Sequence, residues 1–226
     1  MLLGVLFSGG KDSTLALHKA VEKEQVVCLI TVVSKNPQSY MFHTPNVTLT
    51  SLQAEAIDLP LVAQATEGKK EEELEDLEKA IQKAVQVFGI EGVVSGAIES
   101  VYQTSRIQKI CHRLDLRGFN PLWKCDQREL LEETLRRRFE TLISGVFAYP
   151  LDETWLGKQI DQALIERLFV LAEQYGISPS GEGGELETTV LDAPLFKKKI
   201  RILDAEVQAR GNWGVFAVKK AKLVEK

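Results

Sequence analysis

The sequence predicts an α/β protein in which a doubly wound, mostly parallel sheet is followed by a smaller C-terminal α+β domain. In the first half, continuously apolar runs alternate with segments of helical periodicity, which is the pattern of strand–helix–strand units whose sheet is covered on both faces. After Trp123 the pattern changes to amphipathic helices and a final pair of antiparallel strands. We therefore expect one domain over residues 1–123 and a second over residues 124–226.

Five apolar runs in the first half predict strands, and helices are expected between them. The strongest predicted helix spans residues 70–88, where apolar side chains recur every three or four positions and Gly89 follows at the C-cap position. Its acidic start is expected to be a solvated face near the helix N-terminus. The predicted strands are residues 2–7, 26–33, 59–66, 93–97 and 119–123.

The second half begins with a capping-box pattern, in which Asp126 is followed three residues later by Glu129. A second amphipathic helix is expected over residues 161–175 and ends before Gly176. Strands are predicted at residues 188–191, 200–207 and 215–224. The last two would form an antiparallel hairpin.

The composition is that of a globular chain, with 226 residues, 44% of them hydrophobic and 27% charged. The formal net charge of −4 disfavours broad attraction to nucleic acid, so no direct nucleic-acid binding is expected. The apolar runs are too short to cross a bilayer, and no leader is expected, because the N-terminus runs directly into a predicted strand. Three cysteines without Cys-x-x-Cys spacing argue against a disulfide framework or zinc site, so a cytoplasmic location is expected.

A glycine-rich turn joins the first predicted strand to the first predicted helix. This glycine turn has the sequence Ser8-Gly9-Gly10-Lys11-Asp12-Ser13. Glycines let the backbone approach an anion, helix amides point toward it, and Lys11 adds a positive charge. The turn is not a P-loop, because Lys11 is followed by Asp12. It predicts a phosphate site; the alternative is a turn that merely links a strand to a helix.

Two further segments are candidates for a functional site: one at the end of a predicted strand and one just before a predicted strand. Gly96 lies where the fourth predicted strand ends, so it and the glycine turn are expected to face one crevice. Far along the chain, the acidic loop has the sequence Glu182-Gly183-Gly184-Glu185-Leu186-Glu187. Three carboxylates around two glycines suit a cationic ligand, a base or a metal ligand, although a solvated turn entering a strand is the alternative.

The glycine turn resembles the PP-loop of the ATP pyrophosphatases, which implies an adenine nucleotide alpha hydrolase-like fold. Taken together, several segments resemble the diphthine–ammonia ligase, or diphthamide synthase, family. The acidic loop with the run that follows it is the more specific part. The matching segments are residues 8–13, 41–43, 95–98, 102–103 with 106, 121–123 with 126, 155–157, 181–185 and 190–196.

The resemblance implies a reaction in which diphthine on elongation factor 2 is amidated with ammonia and ATP, giving diphthamide, AMP and pyrophosphate through an acyl-adenylate. Lys11 and the backbone amides of the glycine turn would stabilise the leaving pyrophosphate. Asp12 would either contact Mg²⁺ or cap the helix. Gly96 would let the strand end approach the α-phosphate or ribose, and Tyr102 and Arg106 would hold the substrate carboxylate or a phosphate.

Diphthine carries a trimethylammonium group, which would be held by Glu182, Glu185 and Glu187 with Gly183 and Gly184 shaping the loop. An aromatic face could assist by cation–π attraction, and the candidates are Trp123, Tyr102 and Trp155. His43 either lines the site or is structural. The partners implied are elongation factor 2 and ammonia, with a homo-oligomer also compatible with the sequence.

The sequence departs from the family pattern at two positions. The resemblance would place glycine at Asp115, and an aromatic residue at Leu186. Two other functions stay open at this point. One is a tRNA-modifying PP-loop enzyme, although Cys111 and Cys125 have no partner motif; the other is a non-catalytic ATP-binding module.

Overall fold

A five-stranded parallel sheet forms the centre of the first of two units, Met1–Trp123. The computed structural model describes residues 1–36, 45–69 and 71–226, so the predicted segment at residues 41–43, with His43, lies outside the described residues. The strand order is β3–β2–β1–β4–β5, and every pair is parallel, which confirms the predicted doubly wound sheet. The strands are β1 (Leu2–Leu6), β2 (Gln25–Ser34), β3 (Leu61–Thr66), β4 (Gly92–Val94) and β5 (Arg117–Phe119).

The strand order reverses between β1 and β4, which lie side by side. Leu3 pairs with Gly92 and Val5 pairs with Val94. In sheets of this type, ligands bind in the crevice at the carboxyl ends of the strands on either side of this reversal. The glycine turn follows β1, and Gly96 follows β4, so both lie at that edge.

The helices of this unit are α1 (Lys11–Val21), α2 (Thr50–Ile57), α3 (Glu72–Phe88) and α4 (Val101–Arg113). On α3, Leu77, Ile81 and Ala84 are buried in the core, and Gly89 adopts a left-handed conformation at the C-cap with φ +64°, as the periodicity predicts. Helix α2, preceded by a 3-10 turn at Val47–Leu49, was not predicted. It has only eight residues, too few for apolar periodicity to distinguish it.

Three local predictions are corrected or explained by the backbone. The last strand is Arg117–Phe119, whereas residues 119–123 were predicted; the Trp123 amide instead donates to the Asn120 carbonyl in a turn, and Pro121 has no amide for a ladder. Strand β4 ends at Val94, so residues 95–97 lie beyond it. Asp115 has φ +55°, a left-handed conformation that explains why glycine is expected there.

The second unit, Lys124–Lys226, contains a four-stranded antiparallel sheet in the order β7–β6–β9–β8, together with two helices. The Asp126 side chain accepts a hydrogen bond from the Glu129 amide at 3.0 Å, which confirms the predicted helix start. The predicted C-terminal hairpin is also present, whereas β6 was not predicted. The elements are α5 (Gln127–Arg136), β6 (Glu140–Val146), α6 (Gln162–Tyr175), β7 (Leu186–Asp192), β8 (Lys199–Arg210) and β9 (Trp213–Val224).

The core of this unit lies between the helices and the sheet. Leu131 of α5, Ile143 of β6 and Leu168 of α6 are fully buried there, together with Trp155 from a 3-10 turn, Glu153–Trp155. Burial of each such side chain contributes roughly 1.5–3 kcal/mol to folding. Among the residues that the structure describes, no helix combines the length and apolar character needed to cross a bilayer.

Candidate active site

The glycine turn is shaped by a left-handed residue and by hydroxyl contacts across it. Gly9 has φ +81°, which favours glycine. The Ser8 and Ser13 hydroxyl oxygens lie 3.2 Å apart, and the Ser8 amide donates to the Ser13 hydroxyl at 3.3 Å. The two serines therefore close the turn, with both hydroxyl groups at its centre.

Helix α1 begins directly from this turn. Gly10 is the N-cap residue, and its carbonyl accepts from the Thr14 amide at 3.1 Å, the Thr14 hydroxyl at 2.9 Å and the Ser13 hydroxyl at 3.1 Å. The first amides of a helix have no intrahelical acceptor, and the helix dipole makes this end positive. The start of α1 thus has the properties of an anion site at the edge of the sheet.

Lys11 and Asp12 form an ion pair within the turn. Lys11 is only 2% exposed, and its Nζ donates to Asp12 Oδ2 at 2.9 Å. The other oxygen, Asp12 Oδ1, is buried and accepts no hydrogen bond from any residue that the structure describes. The cap alternative for Asp12 is wrong, because Gly10 is the N-cap and no side chain caps α1 within the described residues.

Gly96 contacts the beginning of α1 through its backbone. A Cβ atom added there would lie 2.8 Å from both the Asp12 carbonyl carbon and the Ser13 nitrogen. Neighbouring Ser95 donates from its hydroxyl to Asn120 Oδ1 at 2.6 Å, which holds the segment after β4. The structure therefore brings Gly96 and the glycine turn together, as the strand order leads one to expect.

Replacing Gly96 with alanine is expected to lower the free energy of unfolding by about 1–3 kcal/mol, because the methyl group overlaps backbone rather than a movable side chain. Displacement of the Asp12–Ser13 backbone should also raise the Kd for ATP by roughly tenfold or more. Thermal unfolding and calorimetric ATP titration measure the two effects. Gly89→Ala is the control: its Cβ would enter open space at φ +64°, so it should cost stability without changing the Kd. Equal ATP affinity in both variants would contradict this account.

Tyr102 and Arg106, on α4, stack on each other and both bind one carboxylate. The Arg106 guanidinium carbon lies 3.4 Å from the centre of the Tyr102 ring. Both donate to Glu71 Oε1, the Tyr102 hydroxyl at 3.0 Å and Arg106 Nη2 at 2.9 Å. The hydrogen bond to Glu71 raises the pKa of Arg106, and desolvation followed by the Glu71 contact raises the pKa of Tyr102. The two predicted substrate contacts therefore form one anion-holding pair.

The acidic start of α3 is less solvated than the sequence suggests. Glu71 has φ +70°, an uncommon conformation for a residue with a side chain, and contacts Tyr102 and Arg106 as described above. Glu73 is fully buried. The expectation of a solvated acidic face is therefore wrong for Glu73, whereas Glu71 is exposed as expected.

The acidic loop lies in the second unit, and its last two residues, Leu186 and Glu187, begin β7. Gly181 and Gly184 have φ +80° and +83°, and the Gly184 amide donates to the Gly181 carbonyl at 2.9 Å. These left-handed glycines turn the chain sharply just before Glu182 and again just before Glu185. Glu187 already belongs to β7, where it pairs with Gly145.

Gln127, the first residue of α5, anchors the segment that leads into the acidic loop. Its Oε1 accepts from the Ser178 hydroxyl at 2.8 Å, the Ser180 amide at 3.1 Å and the Ser180 hydroxyl at 2.9 Å. The Ser178 hydroxyl in turn accepts from the Glu182 amide at 3.1 Å. Sequence reasoning did not identify Gln127, and its position directly after the Asp126 cap was the one local signal that it begins a helix.

Glu185 is held from one side by this network. Its Oε1 accepts from the Ser178 amide at 2.9 Å, whereas the buried Oε2 accepts from no residue that the structure describes. A buried carboxylate oxygen that has no donor is costly, so Glu185 Oε2 is a position where a cationic ligand would be stabilised. This arrangement differs from a solvated turn.

The aromatic candidates differ in their access to a ligand. Trp155 is 2% exposed, and the Arg167 guanidinium lies 4.5 Å from its ring centre, so it is a core residue and not an aromatic face for a substrate. One face of Tyr102 is covered by Arg106. Trp123 is half-buried at the end of the first unit.

The three cysteines are free thiols. Burial raises the pKa of Cys28 and of Cys111 to about 11, so both remain protonated and unreactive near neutral pH. Within the described residues, no group of three or more His, Cys, Asp or Glu side chains is arranged to hold a metal ion. These observations give no support to a thiolating site.

A doubly wound sheet with this glycine turn between β1 and α1 defines a protein of the PP-loop ATP pyrophosphatase class. Residues 1–118 match the family model of the diphthamide synthase N-terminal domain, and residues 126–224 match that of the diphthamide synthase C-terminal domain. The chain belongs to the diphthine–ammonia ligase, or diphthamide synthase, family, and it is an ATP-dependent ligase.

Curated relatives of this chain are named diphthine–ammonia ligase. The Bos taurus protein named diphthine–ammonia ligase is 36% identical over 92% of this chain and 85% of its own length. The Homo sapiens protein of that name is 35% identical with the same coverage. A solved structure described as a predicted subunit of tRNA methyltransferase from Methanocaldococcus jannaschii has a TM-score of 0.45 and 20% identity, over 86% of this chain and 98% of that one. A likeness of that size carries no functional argument.

Proposed function

We propose that this ligase amidates diphthine on elongation factor 2, using ammonia and ATP and releasing AMP and pyrophosphate. The observation that carries the proposal is that both units match the two domains of one synthase family. Its relatives named diphthine–ammonia ligase match over most of both chains. The geometry of the glycine turn and of Glu185 adds chemical support.

The reaction requires activation of a carboxylate, because an anionic carboxylate has no leaving group that ammonia can displace. In the proposed sequence, a carboxylate oxygen of diphthine attacks the α-phosphorus of ATP, and pyrophosphate leaves with the electron pair of the broken P–O bond. Ammonia then attacks the acyl carbon, AMP leaves and a proton is lost. The protein must stabilise negative charge that moves onto the pyrophosphate.

The glycine turn fits that task. Backbone amides at the start of α1 and the nearly buried Lys11 ammonium would face the β- and γ-phosphates. The Ser8 and Ser13 hydroxyls, 3.2 Å apart, add donors at the same place. Gly96 lets the segment after β4 pack directly against the Asp12–Ser13 backbone, which would hold the start of α1 in place beside the nucleotide.

Asp12 fits the role of a Mg²⁺ ligand. Its buried Oδ1 has no donor among the described residues, and Mg²⁺ is commonly held by one or two carboxylates together with substrate phosphates. A bound Mg²⁺ would offset phosphate charge during pyrophosphate release. Lys11 holds the other carboxylate oxygen and so fixes the orientation of Asp12.

The acidic loop would recognise the trimethylammonium group of diphthine. That group carries a fixed charge but has no N–H donor, so it suits a carboxylate oxygen such as Glu185 Oε2 that lacks a hydrogen-bond donor within the described residues. Glu182 and Glu187 would add negative charge nearby. A Cβ atom on Gly183 would lie 2.5 Å from Glu185 Oε1, so a side chain there would displace the Glu185 carboxylate.

Arg106 and Tyr102 would bind an oxyanion, either the diphthine carboxylate or a phosphate. Both side chains already donate to one carboxylate oxygen, Glu71 Oε1, which supports a role in binding an oxyanion. The arginine charge persists at all relevant pH values. This pair is therefore suited to a ligand that carries one or more negative charges.

The proposal is tested by incubating the protein with ATP, ¹⁵N-labelled ammonium and elongation factor 2 that bears diphthine. We expect AMP release together with incorporation of one labelled nitrogen at the modified histidine, detected by peptide mass spectrometry. Elongation factor 2 lacking the modification is the control and should give neither product. AMP release without dependence on diphthine, or dependence on tRNA instead, would contradict the proposal, and ATP binding without AMP would indicate a non-catalytic module.

A further inference from the structure

Helix α2 contacts the glycine turn through the buried side chain of Gln53. This residue is fully buried, and its Nε2 donates to the Gly9 carbonyl at 2.9 Å. The contact is tight, since a Cβ atom added to Gly9 would lie 2.1 Å from Gln53 Oε1. A glutamine from a different element therefore contacts the turn at the residue with φ +81°.

The hydrogen bond fixes the orientation of a whole peptide group. The Gly9 carbonyl and the Gly10 amide belong to one planar trans peptide, so they point in opposite directions. Because Gln53 holds the carbonyl on one side, the Gly10 amide is directed to the other side. There it approaches the Ser8 hydroxyl at 3.4 Å, where the Ser8 and Ser13 oxygens meet.

Without such a restraint, this peptide could rotate easily. Both residues that flank it are glycines, which lack the Cβ contacts that normally restrict backbone rotation. A rotation by half a turn would direct the Gly9 carbonyl oxygen, instead of the Gly10 amide, toward the hydroxyl pair. A carbonyl oxygen there would repel an anion that the amide would attract.

We propose that Gln53 is a positioning residue for the phosphate site, holding the Gly9–Gly10 peptide with its amide directed at the pyrophosphate portion of ATP. The inference rests on the proposed role of the glycine turn in phosphate binding. Gln53 itself does not touch the nucleotide. Its effect is therefore confined to ligands that carry the pyrophosphate group.

The test compares the affinities of wild type, Gln53→Met and Gln53→Glu for inorganic pyrophosphate, ATP and AMP by calorimetric titration. Methionine keeps the length of the side chain but removes the donor. We expect the Kd for pyrophosphate and for ATP to rise roughly tenfold in Gln53→Met, in line with loss of one buried hydrogen bond and its directing effect. Glutamate adds an acceptor facing the Gly9 carbonyl and should raise both values further. The Kd for AMP should stay within about twofold.

Glu55→Gln is the matched control, because Glu55 is exposed on the same helix, and it should leave all three affinities unchanged. A loosened fold would weaken AMP binding along with the others, so parallel losses for all three ligands would overturn the inference, as would unchanged pyrophosphate affinity in Gln53→Met. Should that variant unfold, Gln53→Asn, which keeps an uncharged amide but withdraws it from the Gly9 carbonyl, provides the same comparison. Wild-type protein that binds neither ATP nor pyrophosphate would overturn the proposed phosphate site itself, whereas normal wild-type binding with unaffected variants would overturn only the role of Gln53.

Discussion

Replacing Lys11 by methionine is expected to lower the rate of ATP-dependent AMP release by about 10²–10³-fold or more, while the chain remains folded. Lys11 is only 2% exposed at the start of α1, where its positive charge would act on developing phosphate charge with little screening by water. Methionine fills most of the volume of the lysine side chain, so the core should not collapse. Steady-state release of AMP and thermal unfolding measure the two outcomes.

The control for this variant is Lys19→Met, which removes a lysine from the last turn of the same helix. It should release AMP at the wild-type rate. Lys11→Met also leaves the Asp12 carboxylate without its lysine partner, so a modest loss of stability is expected in that variant alone. Normal turnover by a folded Lys11→Met protein would remove the basis for the phosphate assignment of the glycine turn.

Glu185→Gln is expected to raise the KM for diphthine-bearing elongation factor 2 by roughly tenfold or more while leaving the KM for ATP unchanged, consistent with loss of a charge pair at a partly buried site. The Ser178 amide requires an oxygen, so the glutamine oxygen should take the place of Oε1. The new amide group then replaces Oε2, the buried oxygen that accepts from none of the described residues. A neutral group with N–H donors would face a cation that the carboxylate attracts.

This prediction has two controls. Glu173→Gln alters an exposed carboxylate on α6 and should change neither constant. A substrate in which the trimethylammonium is replaced by a neutral group should be bound equally by wild type and Glu185→Gln, because the charge difference no longer matters. An unchanged KM for the natural substrate in Glu185→Gln would assign cation recognition to other residues.

The central sheet could be predicted because its information is local. Runs such as β1 and β2 are apolar throughout, and the long periodicity of α3 marks a helix without ambiguity. Helix α2 and strand β6 lack such signals. The pairing of strand β6 with β7 is irregular between Ile143 and Gly145. From Ile143 onward consecutive residues are buried, so the strand does not show a simple alternation of buried and exposed positions.

The candidate site divides in the same way. The glycine turn and acidic loop are contiguous motifs, so their residues could be identified from the chain alone. Gln53 and Gln127 could not, since each contacts its loop across 44 or more positions of sequence and neither belongs to a motif. Their importance depends on which helix packs beside which loop, and that follows from the tertiary fold.

The Glu71 carboxylate on Arg106 has a consequence for how an anion would bind there. In the structure this guanidinium already carries a negative partner from its own chain. A substrate oxyanion that took the same place would have to displace the Glu71 carboxylate, which is tethered nearby by the chain. Its observed affinity would therefore be lowered by the competing contact between Glu71 and Arg106. Such an exchange would leave the local charge unchanged, so the conformation of residue 71, just before α3, would influence which anion binds to Arg106 on α4.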